Sequence, residues 1–408
     1  MDKTNTAAKT NNILGPLALR DCTGCGICAA VCPTSALDIS LDSDGFYGPV
    51  INESLCVKCG LCLNSCYKFD DNIIQSNKAE ICYAAVNKNK QQLKSSSSGG
   101  VSRLLMEECI KNGYKVFGCI YDNNEHIAKS VVVDNYEDLD LFYGSKYFQS
   151  NTLTGFKEIL SDRSDQKYAI FGTPCQIYGF SKTKKYQMFP DRYLLVDIFC
   201  HGCPSMKLWQ AYLRYVQDEI NSKEFDKITF RSKSLGWHEF CFDFYKKDAV
   251  YTTPLKNNYF YDIFFNMDVM NEACYDCNVR SSMAYGDIRL GDYWGAKYDL
   301  DREGVSAVVL KTPKGVLFFD AIKDKMTYEE CSLDHILLGQ SYGKKHTYNS
   351  GRRQYLLVSL DSQKLKDVTK KYIKMFPFTK RFKRYIKTCI KSLPPQVYLP
   401  IKKILHSI

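Results

Sequence analysis

The chain after residue 80 alternates between two patterns of apolar and polar positions. Short apolar runs rich in β-branched and aromatic residues predict buried strands, and apolar residues three or four positions apart predict helices. In the stretch 101–112, for example, Val101, Leu104, Leu105 and Ile110 share one helical face. The patterns predict strands at 81–87, 115–121, 129–134, 167–171, 192–199 and 306–312, and helices at 101–112, 152–160 and 205–220. This order is typical of an α/β domain.

Two regions depart from that order. Residues 227–255 contain three short stretches with partial alternation, which predict an antiparallel insert in the α/β domain. From residue 352 onward, lysines and arginines are mixed with apolar residues at helical spacing. Residues 352–408 hold 15 Lys or Arg and two acids, whereas the whole chain of 408 residues has a net charge of +10. The sequence therefore predicts a basic helical tail.

Four cysteines lie close together in the stretch 22–33, CTGCGICAAVCP, and the stretch 56–66, CVKCGLCLNSC, repeats their spacing. The arrangement C-x2-C-x2-C-x3-C-P is typical of bacterial ferredoxins with two 4Fe–4S clusters, in which the fourth cysteine of each run binds the other cluster. We therefore predict an α+β ferredoxin-like domain over 18–70. The predicted ligands of the first cluster are Cys22, Cys25, Cys28 and Cys66, and those of the second are Cys56, Cys59, Cys62 and Cys32.

Two details of these runs bear on the local backbone. Gly24, Gly26 and Gly60 allow the chain to approach a cluster at φ values that other residues resist. Tyr67 follows Cys66 where the first run has a proline, so the turn differs between the two halves. Zinc is the alternative occupant, but zinc sites usually pair two C-x2-C units and leave the remaining thiols of each run unexplained.

The 19 cysteines also indicate a compartment. The sequence shows no secretory signal and no apolar run of about 18 residues, so we expect a cytoplasmic protein whose thiols stay reduced and bind metal. Residues 1–17 are mostly polar and are predicted to be disordered.

Four further cysteines are candidates for a third cluster. Cys175 and Cys200 come just after predicted buried strands, at the sheet edge where open α/β sheets bind ligands. Cys274 and Cys277 form a C-x2-C pair that could close the site from a distant loop. On spacing alone, the alternative is that these scattered thiols are small buried hydrophobic side chains.

Six further motifs follow one another along the chain and carry a resemblance to a known family. They are SSSSGGVSRLL, GSKYFQS, FGTPCQIYGF, DIFCHGCPS, ACYDCNVR and DIRLGDYWG. In these motifs the chain, from about residue 18 to about residue 345, resembles the family of coenzyme F420 hydrogenase/dehydrogenase beta subunits, in its bacterial form with an amino-terminal ferredoxin domain.

The resemblance implies an FAD and a 4Fe–4S cluster in a central domain over residues 80–345. The implied cluster ligands are Cys175, Cys200, Cys274 and Cys277, with Cys203 as an unexpected extra thiol beside Cys200. The sequence has no G-x-G-x-x-G motif, so the flavin contacts are sought in SSSSGG and GSKYFQ. The candidate flavin-binding residues are Ser98, Gly99, Gly100, Lys146, Asp292 and Trp294. A flexible loop, a surface lysine and ordinary core residues are the alternatives.

The implied function is an oxidoreductase that carries electrons between the ferredoxin clusters, the third cluster, FAD and an organic partner. Ferredoxin is the expected one-electron partner, and the organic partner is either a coenzyme F420-like deazaflavin or an intermediate of surface-polysaccharide biosynthesis. The catalytic residue is unassigned, with Lys146 and His201 as candidates. The alternative is an electron-carrier subunit that has no substrate of its own and feeds a partner enzyme.

The basic tail over 352–408 allows three interpretations. Lysines mixed with apolar residues over 364–391 suit a helix lying on anionic lipid at the inner face of the membrane. A solvated helix and a protein-docking surface are the alternatives. Nucleic acid is not expected as a partner, because the tail lacks the features of a base-reading module.

Overall fold

The computed structural model describes residues 12–13, 22–70, 73–76, 81–253 and 259–391. Its amino-terminal region is built from two similar halves around a hairpin. The strands β1 (Leu37–Leu41) and β2 (Tyr47–Ile51) pair antiparallel, with Leu37 opposite Ile51. A short helix stands on each side of the hairpin: α1 (Ile27–Ala30) and α2 (Leu61–Asn64).

Both short helices begin at a glycine in the left-handed region. Gly26 has φ 78° before α1, and Gly60 has φ 75° before α2. A residue with a Cβ is strained in this conformation, which explains why the cysteine runs carry glycine at this point. The doubled arrangement confirms the α+β region that the two cysteine runs predict.

The following domain is organised around a large mixed sheet. Within the described residues, this sheet has nine strands: β3 (Ile81–Asn87), β4 (Tyr114–Asp122), β5 (Ile127–Val133), β6 (Ser150–Asn151), β7 (Lys167–Gly172), β8 (Tyr193–Ile198), β12 (Ile288–Asp292), β13 (Ser306–Leu310) and β14 (Met326–Glu330). Their order across the sheet is β14-β3-β13-β12-β8-β7-β4-β5-β6. The central strands β4, β7, β8 and β12 are parallel, whereas β13, β3 and β14 continue the sheet antiparallel.

Helices cover both faces of this sheet, as expected for parallel strands whose two faces are buried. Those in the sheet domain are α3 (Lys90–Ser95), α4 (Val101–Lys111), α5 (Leu153–Ser161), α6 (Pro174–Ser181), α7 (Lys184–Met188), α8 (Met206–Glu219), α10 (Pro313–Asp320) and α11 (Leu333–Leu338). The strands and helices predicted from sequence correspond to these elements, with ends that differ by a few residues.

The antiparallel insert is also confirmed. Strands β9 (Lys227–Ser232), β10 (Cys241–Lys246) and β11 (Ala249–Thr253) form a separate sheet in the order β11-β10-β9. The helix α9 (Tyr259–Phe264) follows it. Aromatic side chains of the insert pack against Trp209 and Tyr212 of α8, so the insert shares the core of the sheet domain.

The carboxyl-terminal region differs from the predicted tail over 352–408. Helices α12 (Ser350–Ser362) and α13 (Leu365–Lys374) bury Leu356, Leu360, Val368 and Tyr372 in the main core. Their lysines and arginines are exposed to solvent or form ion pairs with other parts of the protein. The count of charged residues therefore does not reveal that these helices also have a buried apolar face. The exposed basic segment is α14 (Phe378–Lys391), and residues 392–408 lie outside the described residues.

The predicted disorder over 1–17 lies mostly outside the described residues, but two positions differ from it. Asn12 and Ile13 are 3% and 1% exposed, and Ile13 belongs to the main core. They are buried because Asn12 packs beside Leu61 and Cys62 of the second half, and Ile13 beside Ile27 and Cys28 of the first half.

The amino-terminal region docks firmly on the sheet domain. Gln149 accepts a hydrogen bond from the amide of Tyr47 at 2.8 Å and donates one to the carbonyl of Thr23 at 2.9 Å. Thr152 donates to the carbonyl of Cys25 at 2.8 Å. These contacts hold the first cysteine run against the sheet.

Candidate functional site

The eight cysteines of the two runs line two cavities in the crossed arrangement that the sequence predicts. Ile13, Gly24 and Tyr67 contribute to the wall of the first cavity, and Pro33, Val57 and Gly60 to that of the second. The thiols of the first cavity are Cys22, Cys25, Cys28 and Cys66, and those of the second are Cys32, Cys56, Cys59 and Cys62.

The electrostatics of these thiols fit a positively charged metal core. Burial, together with neighbouring thiols, raises the pKa of Cys25 and Cys28 well above the ordinary value and that of Cys66 to about 11. Thiolates this close together repel one another unless a cation lies between them. One amide already supports the charge, since Gly24 donates a hydrogen bond to Sγ of Cys22 at 3.3 Å.

No group of three or more His, Cys, Asp or Glu side chains in the described residues is arranged to hold a single metal ion. This applies to the two cavities as well. A zinc ion needs four ligands at bonding distance around one point, whereas a four-iron cluster spreads its thiolates around a larger core. Four thiols in each of the two cavities suit the ligation of one four-iron cluster per cavity.

A second group of thiols converges on one place at the edge of the large sheet. Cys175 lies in the first turn of α6 directly after β7, Cys200 follows β8, and Cys274 and Cys277 lie in the loop before β12. Burial, together with the nearby thiols of Cys200 and Cys277, raises the pKa of Cys175 to about 12. Burial likewise raises the pKa of Cys274, with contributions from Cys200, Cys277 and Cys175. The structure thus brings together the four cysteines that the sequence singles out.

Cys203 joins this group as a fifth thiol. A hydrogen bond from Cys203 lowers the pKa of Cys200, and the amide of Gly202 donates to Sγ of Cys200 at 3.4 Å. Arg280 and Arg289 lower the same pKa through their positive charge. The thiol of Cys200 is therefore the one of the group best supported as a thiolate, which agrees with its choice as a ligand over Cys203.

A buried ion network lies directly below this thiol group. Arg289 of β12 binds Asp197 of β8 through two hydrogen bonds of 2.9 and 2.5 Å, and Lys311 binds the same carboxylate at 3.0 Å. All three side chains are at most 1% exposed. Arg289 acts on the thiol of Cys200, so the network places a positive charge near the thiol group.

The first cavity and the third thiol group are in contact. Tyr67, at the wall of the first cavity, packs with Tyr178 in a small cluster that also touches Cys25, Cys175 and Cys277. Gly179 of α6 allows this close approach, since a Cβ there would lie 3.1 Å from Cγ1 of Ile27 and 3.4 Å from Sγ of Cys25. In the sequence Tyr67 stands out only as a departure from proline, and the structure places it between the two groups of cysteines.

The candidate flavin loop is engaged with the sheet. Ser98 donates a hydrogen bond to the carbonyl of Val305 at 2.9 Å, and a Cβ on Gly99 would lie 2.5 Å from the amide of Ser306. Gly100 has φ 80° at the start of α4. The glycines are therefore required by close packing and backbone conformation, whether or not a ligand binds beside them.

Lys146 is held by backbone carbonyls. Its ammonium group donates to the carbonyls of Cys119, Leu141, Phe142 and Tyr143 at 2.9 to 3.4 Å, and burial lowers its pKa to about 8. These contacts occupy the three hydrogen-bond donors of the ammonium group, which then stabilises the turn at Asp138–Phe142. The neighbouring Ser145 bonds Ser97, so the two predicted flavin segments do meet.

Asp292 and Trp294 belong to an aromatic and cationic cluster. Asp292 accepts hydrogen bonds from Trp237 at 3.1 Å and Arg231 at 3.3 Å, and Trp294 stacks on Trp237 with ring centroids 4.9 Å apart. The guanidinium of Arg231 lies 3.8 Å from the ring centroid of Phe240.

This cluster has two features that sequence reasoning missed. Arg231 and Phe240 have φ of 58° and 46°, a strained conformation for residues with large side chains. Nε of Arg231 is buried and has no hydrogen-bond partner among the described residues. The only sequence signal is a cationic stretch, RSK, at the end of a predicted strand.

His201 lies beside the third thiol group. Its Nδ1 shares a hydrogen bond with Oγ of Ser341, and its ring centroid is 5.5 Å from that of His346. Burial and the charges of Arg280 and Lys344 lower the pKa of His201 to about 4. The imidazole is therefore neutral at physiological pH.

Two family models match this sequence. The model described as the C terminus of the coenzyme F420 hydrogenase/dehydrogenase beta subunit matches residues 165–335, which include all four candidate ligands of the third thiol group. A 4Fe–4S dicluster domain matches residues 21–68, which include the eight cysteines of the two cavities.

Similar proteins come from methanogenic archaea. The chain is 23% identical over 323 residues to a subunit of the F(420)H(2) dehydrogenase of Methanosarcina mazei, covering 76% of this chain and 84% of that protein. It is 31% identical over 170 residues to the coenzyme F420-dependent sulfite reductase of Methanocaldococcus jannaschii, covering 41% of this chain but only 26% of that protein. A chain of the F420-reducing [NiFe] hydrogenase complex from Methanosarcina barkeri aligns with TM-score 0.44 and 22% identity, over 74% of this chain and 94% of its own length.

The dicluster domain and the mixed-sheet domain define an iron–sulfur protein of the electron-transfer oxidoreductase class. The chain carries the carboxyl-terminal domain of the coenzyme F420 hydrogenase/dehydrogenase beta subunit at residues 165–335, with a 4Fe–4S dicluster domain in front of it at residues 21–68. No helix in the described part of the chain is long and apolar enough to cross a membrane.

Proposed function

We propose that the protein is an iron–sulfur flavoprotein that passes electrons between a one-electron carrier, such as a ferredoxin, and an organic partner of the coenzyme F420 type. The contact between Tyr67, Cys25 and Cys175 carries the proposal, because it joins the first cavity to the third thiol group. The names of the two similar proteins from methanogens support a deazaflavin partner. The alternative organic partner, a polysaccharide intermediate, stays a prediction.

When bound, 4Fe–4S clusters exchange single electrons and a flavin exchanges one or two. The protein supplies ligands and surroundings. The eight cysteines of the two cavities would hold two clusters, and Cys175, Cys200, Cys274 and Cys277 would hold a third. Arg280 and Arg289 act on the thiol of Cys200 and would offset part of the negative charge there.

The flavin is assigned to the region where the SSSSGG and GSKYFQ segments meet. Arg231 supplies a buried cation with an unpartnered Nε among the described residues, and Lys233 supplies a second cation bonded to the carbonyl of Ser98 at 2.6 Å. Trp294 and Phe240 offer flat apolar surfaces beside them, with ring centroids 5.7 Å apart. This set suits a ligand with an anionic part and a planar ring. Since Lys146 is tied to carbonyls, Arg231 and Lys233 are the better sources of positive charge.

A pair of cysteine variants tests the proposal. In Cys175→Ala, purified without oxygen, we expect about four fewer irons per chain and no flavin reduction by a reduced ferredoxin. Cys109→Ala is the matched control, since it removes a fully buried thiol that belongs to neither cavity nor the third thiol group, and it should keep both properties. Unchanged iron in Cys175→Ala would reject the third cluster, and unchanged flavin reduction would reject the electron path.

A second candidate function is an electron-carrier subunit without a substrate of its own. The tight engagement of Ser98, Gly99 and Lys146 with the protein favours it, because these residues have structural roles without a flavin. Purified protein with cluster absorbance but no flavin, and no flavin uptake on addition of FAD, would select this candidate.

A further inference from the structure

Helix α14 (Phe378–Lys391) separates its residues into two faces. At 100° per residue, Phe378, Phe382 and Ile386 lie on one side. Residues 378–391 contain no acid, and the other side of the helix and its margins carry Lys380, Arg381, Lys383 and Arg384. We call Phe378, Phe382 and Ile386 the apolar stripe.

The apolar stripe points away from the body of the protein among the described residues. Phe378 is 69% exposed, Phe382 is 50% and Ile386 is 41%. The rings of Phe378 and Phe382 stack on each other with centroids 5.9 Å apart. On the cationic side, Arg384 binds Asp262 of α9 at 2.7 Å. An amphipathic helix of a water-soluble fold normally turns these two sides the other way.

The preceding helix shows the usual arrangement. Helix α13 buries Leu365, Val368 and Tyr372 and exposes Lys366, Lys370, Lys371 and Lys374. The chain therefore carries two consecutive basic helices, of which the first directs its apolar residues inward and the second directs them outward. The exposed lysines of α13 extend the positive surface beside α14.

The combination selects one kind of partner. A nucleic acid would bind the cations but leave the apolar stripe exposed to water. The apolar stripe needs a partner with a nonpolar interior. An anionic bilayer offers both, since the acyl boundary takes up phenyl and aliphatic groups while lysines at the margins reach the phosphates.

We propose that α14 is an interfacial helix that binds the protein to the surface of an anionic membrane. The apolar stripe enters the headgroup region, and the cations along its margins bind lipid phosphates. This proposal is independent of the redox function, because none of the cysteines of the cavities or of the third thiol group lies in α14.

The test is sedimentation of the full-length, cluster-loaded protein with vesicles. The probes are phosphatidylcholine vesicles with and without phosphatidylglycerol. We expect the protein to sediment only with the anionic vesicles and to be released by salt. The triple variant Phe378→Ser, Phe382→Ser, Ile386→Ser should bind at least about tenfold more weakly. Leu300→Ser, Leu317→Ser, Leu338→Ser removes three other exposed apolar side chains and should bind as wild type.

Four outcomes would overturn the proposal. Equal binding to neutral and anionic vesicles would remove the role of the cations, and full binding by the α14 triple variant would remove the role of the apolar stripe. If the full chain fails to sediment but a chain ending at Lys391 does, the stripe is covered by residues 392–408 instead. Absence of binding by both would assign the face to a protein partner. Iron content in the same samples reports separately on the redox function.

Discussion

The hydroxyl of Tyr67 donates a hydrogen bond to Oγ1 of Thr23 at 3.3 Å. Tyr67 directly follows Cys66, and Thr23 lies between Cys22 and Cys25, so both belong to the first cavity. The hydroxyl of Thr23 also lies close enough to the thiol of Cys175, in the third thiol group, to lower the pKa of that thiol through a hydrogen bond. Burial and the thiols of Cys175, Cys277 and Cys25 raise the pKa of Tyr67, which therefore stays neutral. Two adjacent hydroxyls thus link the two groups of cysteines.

Tyr67→Phe tests this link, because it removes the hydroxyl and keeps the ring. Without its partner, Thr23 is less firmly oriented towards Cys175. If Cys175 is a ligand of the proposed third cluster, fewer hydrogen bonds to its sulfur should lower the reduction potential of that cluster. The free energy of unfolding should fall by about 1 kcal/mol. A redox titration followed by electron paramagnetic resonance measures the potential.

The control for this substitution is Tyr328→Phe, at a tyrosine that is 46% exposed on β14. It should leave every potential unchanged. A potential of the third cluster that is the same in Tyr67→Phe and in wild type would contradict the proposed role of the Tyr67 hydroxyl.

The ion network below the third thiol group should be important for stability. Asp197→Asn leaves Arg289 and Lys311 buried without their carboxylate, and we expect a loss of about 3–5 kcal/mol in the free energy of unfolding. Lys90→Met is the control, since Lys90 and Glu303 form an ion pair with side chains 70% and 56% exposed. It should cost less than about 1 kcal/mol. Guanidinium unfolding followed by circular dichroism measures both, and equal losses would contradict the account.

A substitution at Gly99 tests whether this glycine is required for packing or for binding a flavin. Gly99→Ala places a Cβ against the backbone of Ala85 and Ser306, and we expect a loss of about 1–3 kcal/mol from overpacking. Gly48→Ala is the control, because a Cβ there meets nothing within 4 Å. If Gly99→Ala instead keeps wild-type stability and loses only bound flavin, the glycine serves the ligand and the packing argument is wrong.

His346 should make the protein sensitive to acid. Burial, with the charges of Arg280 and His201, lowers its pKa to about 4, whereas in the unfolded chain it is about 6.5. Between these values the unfolded state binds a proton that the folded state does not, so stability falls as the pH decreases from about 6.5 to about 4. His346→Gln should lose less stability than wild type between pH 7 and pH 5, and the exposed His335→Gln should behave as wild type. An identical pH dependence in all three would refute this assignment.

The amino-terminal region can be predicted from the sequence because its chemistry is local. The spacing of the cysteines and the glycines before α1 and α2 fix the turns within a few residues, and the structure has both glycines at positive φ. The insert is also predictable, since its strands alternate and follow one another directly.

Other parts of the site depend on contacts between distant segments. Arg231 acquires its role from Asp292, 61 positions away, and Lys146 binds carbonyls of a turn and of β4. The carboxyl-terminal helices resemble a separate tail in sequence because their charge dominates the composition. Their anchor is long-range as well: Asp268 accepts hydrogen bonds from Arg352 at 2.6 and 3.0 Å and from Tyr372 at 2.7 Å.

The central claim is that a third group of four cysteines adds a cluster to the two of the dicluster domain. Anaerobic purification followed by iron, sulfide and flavin analysis tests it most directly. The account predicts about twelve irons, about twelve sulfides and one flavin per chain. A value close to eight irons, with Cys175 and Cys277 open to thiol alkylation in the purified protein, would contradict it.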